Sequence, residues 1–142
     1  MPETTATAAL PGNGQSLTPP GVASPAPAAV TQACIAACHL CHDTCLRLAL
    51  TSCLELGGAH VRPEHLRLLL NCAELCRTTA HFVATDSSLY AQVCGLCANV
   101  CHACARSCDE VGQMEACAEV CAQCERECRR LSATQDREAA AG

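Results

Sequence analysis

Large side chains are what this sequence has least of. Among its 142 residues are one Phe, one Tyr and no Trp, so the aromatic bulk that usually fills a domain of this size is missing and something else must occupy the core. Positive charge is also scarce. Nine Lys plus Arg against fourteen Asp plus Glu give a formal net charge of -5, and the nine are scattered, leaving no basic patch for nucleic acid or an anionic membrane surface. Neither partner is expected. No stretch approaches the roughly 20 apolar residues of a membrane span. The N-terminus lacks a basic n-region, a twin arginine and an apolar run of about 7 to 15 residues, so no secretory signal is expected and the cytoplasm is the expected location. There is no phosphate loop, no Ser-His-Asp arrangement and no strand to frame a thioredoxin-like dithiol, so an enzyme is not expected.

Six of the seven prolines fall in residues 1–30, among Ala, Thr, Ser and Gly. Such a segment cannot offset its ordering entropy by burial and reads as a disordered tail. Residues 133–142 read as a short polar tail. Between them, residues 31–132 form one domain with four helix-like segments. The first runs from about Thr31, as N-cap, to Leu56, with Gly57-Gly58 as its stop. The second starts at Pro63, suited to a first helical position, and continues to about Ala84. Asp86, Ser87 and Ser88 break the chain before a third, about Leu89 to Glu110, which Gly112 ends; a fourth runs from about Gln113 to Leu131. Long helices joined by short turns predict an all-α fold, an antiparallel up-down four-helix bundle.

Cysteine is what the sequence has in excess, with sixteen. At 100° per residue Cys94, Cys97, Cys101, Cys104 and Cys108 fall within an arc of about 80° on the third helix. Cys34, Cys38, Cys41 and Cys45 make a stripe of about 60° on the first, and Cys117, Cys121, Cys124 and Cys128 repeat it on the fourth. The second adds Cys72 and Cys76. Alternating steps of three and four keep one residue type facing the bundle axis, so the thiols are predicted to line the core. Cys53 lies about 90° from the centre of its stripe, so its role depends on curvature at that end.

A bundle built for stability alone would place Leu and Ile on these stripes, because they bury more apolar area. Disulfides within a helix are disfavoured: residues three or four apart have Cβ atoms about 5 to 6 Å apart, whereas a disulfide wants about 3.8 Å; bridges between helices are the geometric alternative, which a reducing cytoplasm disfavours. Metal binding remains, and charge selects the metal. One monovalent ion per thiolate leaves the core neutral, whereas zinc on four thiolates leaves two negative charges at each site. Soft thiolates select Cu(I), which accepts two or three sulfurs. Iron-sulfur ligation fits less well, since no Cys here precedes Pro and the spacings differ from the ferredoxin run. A zinc-binding or redox-buffering thiol protein is the alternative.

The runs Q-A-C-I-A-A-C-H-L-C-H-D-T-C, N-C-A-E-L-C, C-G-L-C-A-N-V-C-H-A-C-A-R-S-C and C-A-E-V-C-A-Q-C-E-R-E-C resemble the bacterial copper storage proteins, over about residues 32–131. The resemblance implies a cysteine-lined four-helix bundle holding multiple Cu(I) ions and protecting against copper toxicity. Without an export signal the chain is similar to the cytosolic branch, which implies a homotetramer, with copper ions and a copper chaperone as partners. That branch often has a His-rich loop between the last two helices. Here it reads D-E-V-G-Q-M-E, with Met114 and no His.

In an antiparallel bundle the first and third loops share one end, which gathers His60, His65, Met114, Cys53, Cys108 and Cys117. His65 lies about 20° from the direction of Cys72, and Met114 within about 60° of Cys117, so Cu(I) is expected to enter there. His39, His42, His81 and His102 lie well off the stripes and read as surface or inter-subunit residues. Leu46, Leu50 and Leu54 form an apolar line on the first helix away from the thiols, which predicts a contact between subunits.

Overall fold

The computed structural model describes residues 27–141, with the backbone alone for 135–141. The tail expected at residues 1–26 lies outside the described residues. Helix α1 (Ala28–Leu50) starts at Pro27, whose ring holds φ at -52° and whose carbonyl accepts the amides of Val30 and Thr31 at 3.0 and 3.1 Å. The helix therefore starts one turn before the expected Thr31 cap. Ala28 and Ala29 are strong helix formers, so the first turn winds directly off the proline.

Periodicity predicts one helix as far as Leu56, but the chain leaves helical geometry at Thr51 (φ -125°, ψ -84°), and a single-turn α2 (Ser52–Leu56) follows. The Thr51 hydroxyl donates to the Arg47 carbonyl at 2.7 Å, a back-bond that competes with the helix ladder and bends helices. Gly57 and Gly58 (φ 65° and 56°) then turn the chain through a 3-10 turn, Gly58–Val61. Helix α3 (Pro63–Ala84) has the expected bounds, with Pro63 in its first turn. Helix α4 (Tyr90–Val111) follows a turn in which the Ser87 hydroxyl accepts the Leu89 amide at 3.1 Å.

Helix α5 (Glu115–Ala141) runs well past the end expected near Leu131. Residues 133–141 are helical where the sequence reads as a polar tail. They hold Ala, Gln, Arg and Glu with no Pro or Gly, which favours continued helix.

The four long helices form an antiparallel bundle: α1 packs on α3 and α5, and α4 packs on the same two. No strand occurs among the described residues. One stretch, Ala28–Leu56, is long and apolar enough to cross a membrane by length and composition; in the bundle its cysteines turn to the core, while Leu40, Leu46, Leu50, Leu54 and Leu56 remain exposed. All sixteen Cys are buried, and the largest fully buried side chains are Leu69 and Leu131. At the end where α1 and α4 begin, the core holds Val83, Ala91 and Leu131. Thr79 is fully buried but satisfied, its hydroxyl donating to the Leu75 carbonyl at 2.7 Å.

Two glycines predict opposite responses. Gly112 takes φ 76° and ψ 167°, a region that costs a side chain about 1 to 3 kcal/mol. A Cβ there meets nothing within 4 Å, so Gly112→Ala is expected to lower Tm by strain alone, with helicity at 25 °C retained. Gly95 sits inside α4, where a Cβ would make an ordinary 3.5 Å contact with Ser132 Oγ. Gly95→Ala is expected to stabilise by up to about 1 kcal/mol. Thermal melts followed by circular dichroism check both.

Candidate metal centre

The helical stripes bring sulfur against sulfur along the bundle axis. Cys45 Sγ lies 3.4 Å from Cys117 and 3.5 Å from Cys121. Cys41 reaches Cys121 at 3.6 Å and Cys72 at 3.7 Å. On the other side Cys76 meets Cys101 at 3.6 Å, and near the far end Cys34 meets Cys128 at 3.8 Å. Every thiol is free, and these separations are far beyond the roughly 2.05 Å of a disulfide. They are contacts between thiols, at a spacing that lets one soft ion touch two or three.

Five groups of sulfurs lie mutually within 4.8 Å. From the far end they are Cys34, Cys94, Cys128; then Cys38, Cys97, Cys124, Cys128; then Cys41, Cys76, Cys101, Cys124; then Cys41, Cys45, Cys72, Cys121; and Cys45, Cys104, Cys117, Cys121. Each group shares at least one cysteine with the next. The centre is thus a chain of linked sites, in which a sulfur such as Cys41 or Cys124 can bridge two ions.

Cys53 and Cys108 stand outside these groups. The break at Thr51 turns Cys53 inward, which an unbroken helix would not do, and its sulfur is fully buried. It lies 3.7 Å from His65 Nε2 and 3.9 Å from Met114 Sδ. His60, also buried, donates from Nε2 to the Gly112 carbonyl at 2.8 Å. The rings of His60 and His65 meet edge to face with centroids 6.3 Å apart. The structure therefore gathers the residues expected at this end.

Protons are the other half of the site. Burial pushes the Cys53 thiol up, with Cys117 and Cys104 adding to it. Within the sulfur chain, hydrogen bonds decide: Cys41 and Cys72 are pulled down, foremost by Cys101, while Cys76 is pushed up by its bond to Cys101 and by burial. A thiolate formed anywhere along the chain thus finds neighbouring S–H donors. Burial, then the neighbouring His60, holds His65 below its ordinary value, so its ring stays neutral and able to ligate.

The remaining candidates lie elsewhere. His39 and His81 are exposed, and His102 is exposed beside Glu125 at 3.2 Å. His42 is partly buried and donates from Nδ1 to the Ala73 carbonyl at 2.8 Å. Leu46, Leu50 and Leu54 are 37%, 56% and 57% exposed, away from the sulfurs. Sequence reasoning missed Ser107, whose hydroxyl lies 2.8 Å from His65 Nδ1. A serine beside Cys108 carries no periodic signal, and only the packing of α3 on α4 brings it to the imidazole.

Comparison with known proteins bears on these features. The copper storage protein family, Csp, matches residues 28–133. Among solved structures, a Nitrosospira multiformis protein is 48% identical with a TM-score of 0.73, over 75% of this chain and 97% of that one. The Cu(I)-bound copper storage protein BsCsp3 is 33% identical with a TM-score of 0.67, over 72% and 98%. The apo copper storage protein 3 of Bacillus subtilis is 34% identical with a TM-score of 0.64, over the same shares. Nothing matches among curated proteins. With the family matched over most of its length and solved relatives matched almost end to end, this chain belongs to the copper storage protein family.

Proposed function

We propose that this protein stores multiple Cu(I) ions as thiolate complexes in the core of its bundle, on the order of one ion per cysteine by charge matching. The observation that carries the reading is the sharing of sulfurs between successive groups. Zinc bound by four thiolates leaves two negative charges at each site. Cu(I) accepts bridging sulfur and brings one charge for each proton displaced, so the core stays neutral while it fills. The apo chain is already folded around neutral thiols, and loading needs no refolding. The family is one of storage rather than catalysis.

Finer points follow from the same reading. Ions enter at the end formed by Cys53, His60, His65 and Met114 and move toward the group at Cys34, Cys94 and Cys128. A copper chaperone supplies them in the cytoplasm, where sequestration protects other sites. The exposed leucines of α1 and α2 supply the contact that assembles a homotetramer.

Anaerobic titration of the reduced protein against a chromophoric Cu(I) chelator, with thiols counted in parallel, tests the reading. Tight uptake near one ion per Cys is expected, and uptake of one ion or two would overturn it. Replacing Cys38, Cys41, Cys101 and Cys121 with Ala is expected to cut capacity by at least the share of thiols removed while keeping the helical circular dichroism signal. For assembly, the variant Leu46→Gln, Leu50→Gln, Leu54→Gln is expected to fall from tetramer to smaller species in light scattering; an unchanged mass would exclude this face as the contact.

A further inference from the structure

The end of the bundle nearest Cys53 is stoppered along its axis. His60, through its bond to the Gly112 carbonyl, ties the turn before α3 to the turn after α4. Met114, 3% exposed, fills the space against Cys53. Beside this stopper lies a cavity of about 410 Å³ between the start of α3 and the end of α4, with Arg62, Glu64, His65, Ser107 and Glu110 among its walls. That volume is within the usual range for small-molecule sites. His65 links the cavity to the sulfur core: it forms part of the wall, and its Nε2 lies 3.7 Å from Cys53 Sγ.

The cavity also carries charge of both signs. Arg62, Glu64 and Glu110 are exposed and enter none of the ion pairs found among the described residues. A guanidinium near two carboxylates complements a molecule that bears both a carboxylate and an ammonium group.

We infer that this cavity is a docking site for a low-molecular-weight zwitterionic thiol carrying Cu(I) as its thiolate complex, and that His65 relays the ion from that thiolate to Cys53. The inference rests on the storage reading. In the transfer the bond from copper to the carrier's sulfur breaks as the bond to His65 Nε2 forms. Cys53 Sγ then takes the ion, and its proton leaves on the released carrier thiolate. Copper remains Cu(I) throughout, so neither oxidant nor reductant is needed. Ser107 is a positioning residue: by accepting the Nδ1 proton at 2.8 Å it leaves the Nε2 lone pair facing Cys53.

The test is the rate at which the full-length apo protein takes up Cu(I) from two donors, its glutathione complex and its acetonitrile complex, in stopped flow under anaerobic conditions. Uptake from the glutathione complex is expected to saturate with donor concentration. Arg62→Glu is expected to slow that reaction about tenfold and leave uptake from acetonitrile unchanged. Ser107→Ala is expected to slow both by about 10-fold to 100-fold, as loss of a partner to a ligating imidazole does, with no loss of final capacity. Glutathione-dependent uptake that is linear in donor and indifferent to Arg62→Glu overturns the docking site, and unchanged rates in Ser107→Ala overturn the relay. The end point of each trace counts the ions bound, so failure of the storage reading would show separately, as uptake of one ion or two by the unaltered chain.

Discussion

The proton on sulfur decides what the interior of this molecule is. With it, a cysteine is a small, weakly polar group that packs much as alanine or valine does; without it, the same atom is an anion that a low-dielectric core rejects unless a cation comes with it. Sixteen such atoms are buried inside the bundle. Packing, charge and metal preference all follow from this. The helices need small inward residues at steps of three and four, the buried region must stay close to neutral, and the metal that meets both conditions is monovalent and tolerant of low coordination.

The bundle serves those sulfurs in different ways along its length. In the middle, Cys41, Cys45, Cys121 and Cys124 belong to overlapping groups, so no ion there would have a private ligand set. Toward the start of α1 the sulfurs give way to Val83, Ala91 and Leu131. At the opposite end the donors change character, to imidazole and thioether beside a single thiol. Imidazole and thioether stand at one end, and thiols that share groups lie beyond them. This gradient comes from residue placement alone.

Much of this was legible in the sequence because one residue type carried both the periodicity and the chemistry. Repeated steps of three and four fixed the inward face of α1, α4 and α5, and Pro63 fixed the start of α3. Places governed by a single hydrogen bond were not legible. The split at Thr51 depends on a hydroxyl choosing the Arg47 carbonyl, and that choice brings Cys53 into the core against its helical phase. The extension of α5 to Ala141 follows from helix propensity without any apolar stripe, so a reading keyed to cysteine stops too soon. Ser107 was invisible because its partner belongs to another helix.

A core whose largest fully buried side chains are Leu69 and Leu131 holds itself together with less apolar area than a leucine-filled bundle of the same length. Metal that binds the folded chain more tightly than the open one would make up the difference by mass action. Occupancy and survival are therefore coupled. An empty chain opens more often and is the better substrate for proteolysis, while a filled one resists it. A copy that holds metal would then outlast one that does not.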